Sequence, residues 1–156
     1  MQKQFDIRVN APNSTMAKQL VDNFFKDHVY SGGISYIALF DHGTNGQPML
    51  GGAVIGDEIY ELFGMYPVRD GWASFHFLGC NVARGKAGKL YMQNKAKHFK
   101  IRVIANENKT SWDVLTPPPD GEANYRTNHS TWFEARPDTP APVRILNVDT
   151  GTVSNP

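Results

Sequence analysis

Two short and almost unbroken apolar runs constrain this chain more than any other feature: Ile34-Ser-Tyr-Ile-Ala-Leu-Phe and Ala73-Ser-Phe-His-Phe-Leu-Gly. Strands with apolar side chains on both faces must be covered on both, the situation of inner strands in a parallel sheet. The glycine-rich segment between them, with a short helix expected around Asp57 to Phe63, has about the length of a crossover connection. Each run ends in a turn that carries a reactive group. The first leads into Asp41-His42-Gly43, the second into Gly79-Cys80.

The remaining pattern fits the same class. Phe5-Asp-Ile-Arg-Val alternates as a half-buried strand does, and Ala11-Pro-Asn-Ser interrupts it. From Ser14, apolar residues at Ala17, Leu20, Val21, Phe24 and Phe25 form one helical stripe. Asn13 or Ser14 can cap that helix, and Ser31-Gly-Gly ends it. A second helix is expected over Gly85 to Phe99, with Met92, Ala96 and Phe99 inward and Lys86, Lys89, Lys95 and Lys97 toward solvent. Lys100-Ile-Arg-Val-Ile-Ala follows as a strand. The order predicts an α/β fold, a three-layer sandwich with a mostly parallel central sheet.

After Trp112 the pattern breaks at Pro117-Pro-Pro-Asp-Gly, and Asn128 to Glu134 reads as a short strand or an ordered loop. Residues 137–156, with Pro137, Pro140 and Pro142, read as an extended strap or tail, which leaves 1–136 as the domain proper.

Composition narrows the partners. Sixteen Lys and Arg stand against fifteen Asp and Glu, for a net charge of +1. Such a balance gathers neither nucleic acid nor anionic lipid. No apolar run approaches the roughly 20 residues of a membrane-crossing helix. The start, Met1-Gln-Lys-Gln-Phe-Asp, lacks the apolar core of a secretory signal. The expectation is a chain cytoplasmic at synthesis, or exported by a route that needs no signal. The single cysteine excludes an internal disulfide and a Cys-based zinc module.

In a parallel sheet the two reactive turns lie on one edge, the carboxyl edge, where ligand crevices form. There Cys80 can attack an acyl carbon while His42 takes up and returns protons. Gly43 allows close backbone approach, and its N–H together with that of Cys80 can form an oxyanion hole. The helix expected at Gly85 would bring a terminus that favours negative charge close to Cys80. The competing structural reading makes Cys80 a small buried residue and His42 a turn histidine.

Other candidates are weighed beside this pair. Asp41, next to His42, could orient an imidazole, but neighbours along a strand point to opposite faces, so a turn residue is expected. His76 has the strand parity of Cys80, and a thiolate with two imidazoles, including His42, would suit zinc. Spacing across separate strands is not diagnostic, and neither metal nor cofactor is expected. His98 sits among lysines and reads as solvated. His129 follows Cys80 in the order of papain-like and cell-wall amidase folds, but those place the cysteine at a helix start. Trp112 and Trp132 could wall a side-chain pocket or be core. Arg84, Lys86 and Arg102 could read an acidic substrate side chain, and Asp57 or Asp70 a basic one.

An apolar strand followed by His-Gly, then another followed by a small residue and Cys, resembles the caspase-like cysteine peptidases of clan CD. Asp41-His-Gly-Thr-Asn-Gly-Gln-Pro-Met-Leu-Gly and Leu78-Gly-Cys-Asn-Val-Ala-Arg-Gly-Lys-Ala-Gly are similar to the two signature blocks of an uncharacterised caspase-like domain. That domain is found near the N-terminus of large secreted adhesin-like bacterial proteins. The resemblance covers roughly residues 34 to 106. It implies a caspase-type sheet, a His42/Cys80 dyad with Gly43 in the oxyanion hole, and hydrolysis of a peptide or protein substrate through a thioester. Asn81 stands where caspases often carry an arginine. A second expectation of a different class is a caspase-like binding or structural module without turnover, a phage or secretion-system component or an effector. A third is a papain-like amidase using Cys80 and His129.

Overall fold

A computed structural model describes residues 2–4, 9–27, 32–108, 122–124, 131–138, 144–146 and 153–154. The chain runs β1 (Gln2–Gln4), α1 (Ser14–Asp27), β2 (Tyr36–Leu39), β3 (Gly43–Thr44), β4 (Gln47–Leu50), β5 (Ala53–Val54) and α2 (Asp57–Met65). It continues with β6 (Ser74–Phe77), α3 (Gly85–Phe99), β7 (Arg102–Asn106), β8 (Glu122–Asn124), β9 (Trp132–Ala135), β10 (Arg144–Leu146) and β11 (Val153–Ser154).

The main sheet has the order β11-β10-β9-β7-β6-β2. The two apolar runs become neighbours, β2 and β6, paired in parallel with Tyr36 beside Ser74 and Leu39 beside Phe77. β7 extends the parallel set on the other side of β6. β9, β10 and β11 then add by antiparallel pairing, so β10 again runs with β7. The fold is mixed α/β with a mostly parallel central sheet in the sense of strand direction. Most of the strand expected over residues 5–9 lies outside the described residues, and β1 pairs with β8 in a separate two-stranded sheet. Two short strands of the segment read as a strap, β10 and β11, join the main sheet.

Both faces of the central strands are buried, as their composition requires. On one face Phe75, Phe77, Val103, Ala105, Phe133 and Ala135 pack with Ala17 of α1, Tyr60 and Leu62 of α2, and Met92 and Ala96 of α3. On the other, Leu78, Ile104 and Trp132 pack with Tyr36, Ala38 and Phe40. The described helices all occupy the first face. Of the expected sandwich, the described residues therefore show the sheet and one helical layer.

Local chemistry explains the helices. Asn13 caps α1 by accepting the Met16 N–H at 2.8 Å. The neighbouring Ser14 hydroxyl instead accepts the Gly56 N–H at 3.0 Å, tying the start of α1 to that of α2. α3 corrects one expectation, because Lys89 and Lys95 are not free in solvent. Lys89 bonds the Ala83 carbonyl at 3.1 Å and Glu107 at 3.2 Å while lying over the Phe133 ring. Lys95 pairs with Asp57 at 2.8 Å and lies over Tyr60. Long aliphatic stems let these ammonium groups cover apolar surface and still reach a carboxylate.

Under Lys95, the Tyr60 and Tyr91 hydroxyls share a hydrogen bond of 2.6 Å. Burial, followed by the Tyr91 and Asp57 charges, raises Tyr60 well above its ordinary value of 10.0. Burial pushes Tyr91 up to about 12. The unfolded chain releases these protons first, so their contribution to stability is constant below about pH 10 and falls as pH rises toward 12. Each tyrosine contributes a slope of up to about 1.4 kcal/mol per pH unit in that window. Urea unfolding measured across it should show the decline, and Tyr91→Phe should make it shallower. A flat profile to pH 12 would contradict this.

Candidate active site

β2 and β6 leave the sheet side by side at its carboxyl edge, and the Leu78 N–H still donates to the Leu39 carbonyl at 3.0 Å. Beyond that bond the two chains meet backbone against backbone. A Cβ on Gly79 would lie 2.5 Å from the Asp41 oxygen and 2.8 Å from the Gly43 nitrogen. A Cβ on Gly43 would lie 2.0 Å from the Cys80 carbonyl oxygen. Only residues without a Cβ permit this approach. The His42-Gly43 and Gly79-Cys80 pairs thus occupy one rim, with His42 exposed and Cys80 half-buried.

The orientation of the Gly43 N–H follows from the ladder. Gly43 lies opposite Pro48, and the Met49 N–H donates to the His42 carbonyl at 3.1 Å. Gly43 and Pro48 are therefore a non-hydrogen-bonded pair, and the Gly43 N–H points away from β4.

The chain after Cys80 is held on two sides. Asn81 adopts φ 60, a left-handed conformation that asparagine tolerates. Its carbonyl accepts the Gly46 N–H at 3.0 Å and the Arg84 N–H at 3.2 Å. Its own N–H donates to the Asn108 carbonyl at 3.0 Å, and the Ala83 N–H donates to the Asn106 carbonyl at 2.9 Å. The fully buried Asn106 accepts the Asn108 N–H through its side chain at 2.8 Å. Sequence reasoning missed Asn106 and Asn108. The order of residues carries no signal for them, since they act through folding back beside a distant turn. α3 begins at the same place, with Arg84 as its N-cap and Gly88 against the Val82 carbonyl. Arg84 and Lys86 are exposed there.

Asp41 is a turn residue, its Oδ1 accepting the His42 N–H at 2.6 Å and its Oδ2 the Gly51 N–H at 2.8 Å. His76 is buried on β6, with its ring edge-on to Tyr36 at 4.5 Å. Among the described residues no three His, Cys, Asp or Glu are grouped to hold a metal ion, so His42, His76 and Cys80 do not form a zinc set. His98 is exposed on α3. Trp132 is core, packed with Leu78 and Ile104, whereas Trp112 and His129 lie outside the described residues.

Three charged candidates are corrected. Arg102 begins β7 and bonds Ser74, the first residue of β6, at 3.3 Å. It also pairs with the buried Glu134, which Arg136 contacts as well. Arg102 therefore sits at the amino edge, the wrong end of the sheet for a residue that reads substrate beside Cys80. Asp70 precedes β6 and belongs to that end too. Asp57 is occupied by Lys95. No helix among the described residues is long and apolar enough to cross a membrane.

Comparison with protein-family models, with curated proteins and with solved structures finds no match.

Proposed function

We propose that this chain is a caspase-like cysteine hydrolase that cleaves peptide bonds, with Cys80 as nucleophile and His42 as general acid and base. The observation that carries the reading is the parallel adjacency of β2 and β6, whose carboxyl ends bring the two glycine turns into backbone contact. Cys80 Sγ would attack the substrate carbonyl as His42 takes the thiol proton. His42 then returns that proton to the leaving amine as the C–N bond breaks, leaving a thioester. Water, deprotonated by His42, cleaves the thioester to a carboxylic acid and restores the thiol. The Gly43 N–H, turned away from β4, and the Cys80 N–H would stabilise the oxyanion formed in both halves.

A substrate-free experiment tests the pairing. At pH 7, iodoacetamide should alkylate Cys80 in the native protein about ten-fold faster than in His42→Ala, because only the thiolate reacts. Equal rates in the two proteins would favour the binding-module reading. Slowing by His129→Ala, with none by His42→Ala, would favour the amidase.

A further inference from the structure

We propose that Asp41 is the positioning residue of this site, its carboxylate setting how His42 and the Gly43 N–H face Cys80. The inference rests on the dyad reading and extends it to a residue outside the pair. Local turn chemistry accounts for only half of what Asp41 does. Its Oδ1 accepts the N–H of the next residue, His42, at 2.6 Å. Its Oδ2 reaches ten positions along the chain to the Gly51 N–H at 2.8 Å. The carboxylate therefore closes the base of the β3–β4 hairpin, one step outside the Met49-to-His42 backbone bond of 3.1 Å.

Gly51 is a fixed anchor for this clasp. It adopts φ +63, and a Cβ there would lie 1.7 Å from the Pro12 carbonyl oxygen, so it is pressed onto the segment leading into α1. The backbone of Asp41 meanwhile touches the Cys80 turn, its carbonyl oxygen 2.5 Å from the Cβ position of Gly79. One residue thus joins three parts: the α1 leader through Gly51, the hairpin that begins with Gly43, and the turn that presents Cys80. Hydrogen bonds to an ionised carboxylate are roughly twice as strong as neutral ones, which suits a group that must hold a direction rather than fill space. Removing it loosens the hairpin at its base alone, since the Gly46 N–H still holds the tip to the Asn81 carbonyl at 3.0 Å. The change falls on the residues beside it, His42 and Gly43.

The test uses the full chain and iodoacetamide. Alkylation of Cys80 is followed between about pH 6 and 9 in the native protein, His42→Ala, Asp41→Asn, Asp41→Ala and the double variant Asp41→Ala/His42→Ala, with circular dichroism confirming the fold. Asp41→Asn keeps the volume and one acceptor but turns an NH2 group toward the other N–H. It should lose most of the His42-dependent rate, falling to within about three-fold of His42→Ala, and the double variant should be no slower than His42→Ala alone. A purely structural role would lower the unfolding midpoint and leave the rate of folded molecules at the native value. That result would overturn the proposal while sparing the dyad. Equal rates in the native protein and His42→Ala would overturn both. Should Asp41→Ala fail to fold, Asp41→Asn and Asp41→Ser carry the same comparison.

Discussion

Gly43→Ala should disrupt the native carboxyl edge and remove a large part of the stability of the chain. The added Cβ would sit 2.0 Å from the Cys80 carbonyl oxygen and 2.9 Å from Val82 Cγ2. The first of these neighbours is backbone, so no rotamer change relieves it. The turn that bears Cys80 is itself fixed by bonds from Ala83 to Asn106, the end of β7, and from Asn81 to Asn108 just beyond it. Overpacking of this kind costs about 1–3 kcal/mol, and more where backbone must move, a large part of the roughly 5–15 kcal/mol that holds a domain together. Gly79→Ala should behave alike, because its Cβ would meet the Asp41 oxygen at 2.5 Å. Gly64 in α2 provides the opposite case, since a Cβ there meets nothing within 4 Å. Gly64→Ala should stabilise the protein by roughly 0.5–1 kcal/mol through the lost freedom of the unfolded chain. Urea midpoints of the three variants check the order. A Gly43→Ala protein as stable as the native one would mean that the two turns do not touch.

The second large effect concerns chemistry. His42→Ala should lower peptide hydrolysis by about 10²- to 10⁴-fold, the usual contribution of a positioned acid and base. The side chain is exposed, so the same substitution should change stability by no more than about 0.5 kcal/mol. Activity lost without loss of fold distinguishes a catalytic role from a structural one. A proportional loss of both would return His42 to the status of a turn histidine.

The contrast between these two effects shows which features the amino-acid order reveals. The run at 73–79 was legible as a buried parallel strand because its composition admits few other environments. The run at 34–40 was legible as its parallel neighbour, and with that pairing came the shared rim of His42 and Cys80. Among the described residues, however, β2 ends the sheet and is only half-buried, a correction to the reading of both runs as inner strands. α3 was legible over Gly85–Phe99 from its apolar spacing. The segment between β2 and α2 was less so. Read as a crossover, it first forms the β3–β4–β5 meander. Asn45-Gly46 and Gly51-Gly52 are hairpin signals for that meander, and Gly46, Gly51 and Gly52 all take positive φ. Their meaning was masked by the general richness in glycine. Lys89, Lys95 and Arg102 could not be placed from local pattern. Their partners Glu107, Asp57 and Glu134 are brought to them by packing. The reach of Asp41 to Gly51 belongs to the same class, a contact that exists only once the hairpin has closed.

The central claim is that Cys80 and His42 work as one unit on a peptide bond. It is tested most directly by incubating the native protein, Cys80→Ala and His42→Ala with a degenerate peptide library and following cleavage by mass spectrometry. The account predicts new peptide termini and a transient acyl mass on Cys80 in the native protein, with both lost in the two variants. Cleavage that persists undiminished in folded Cys80→Ala, or a native protein that cleaves no member of the library, would contradict it.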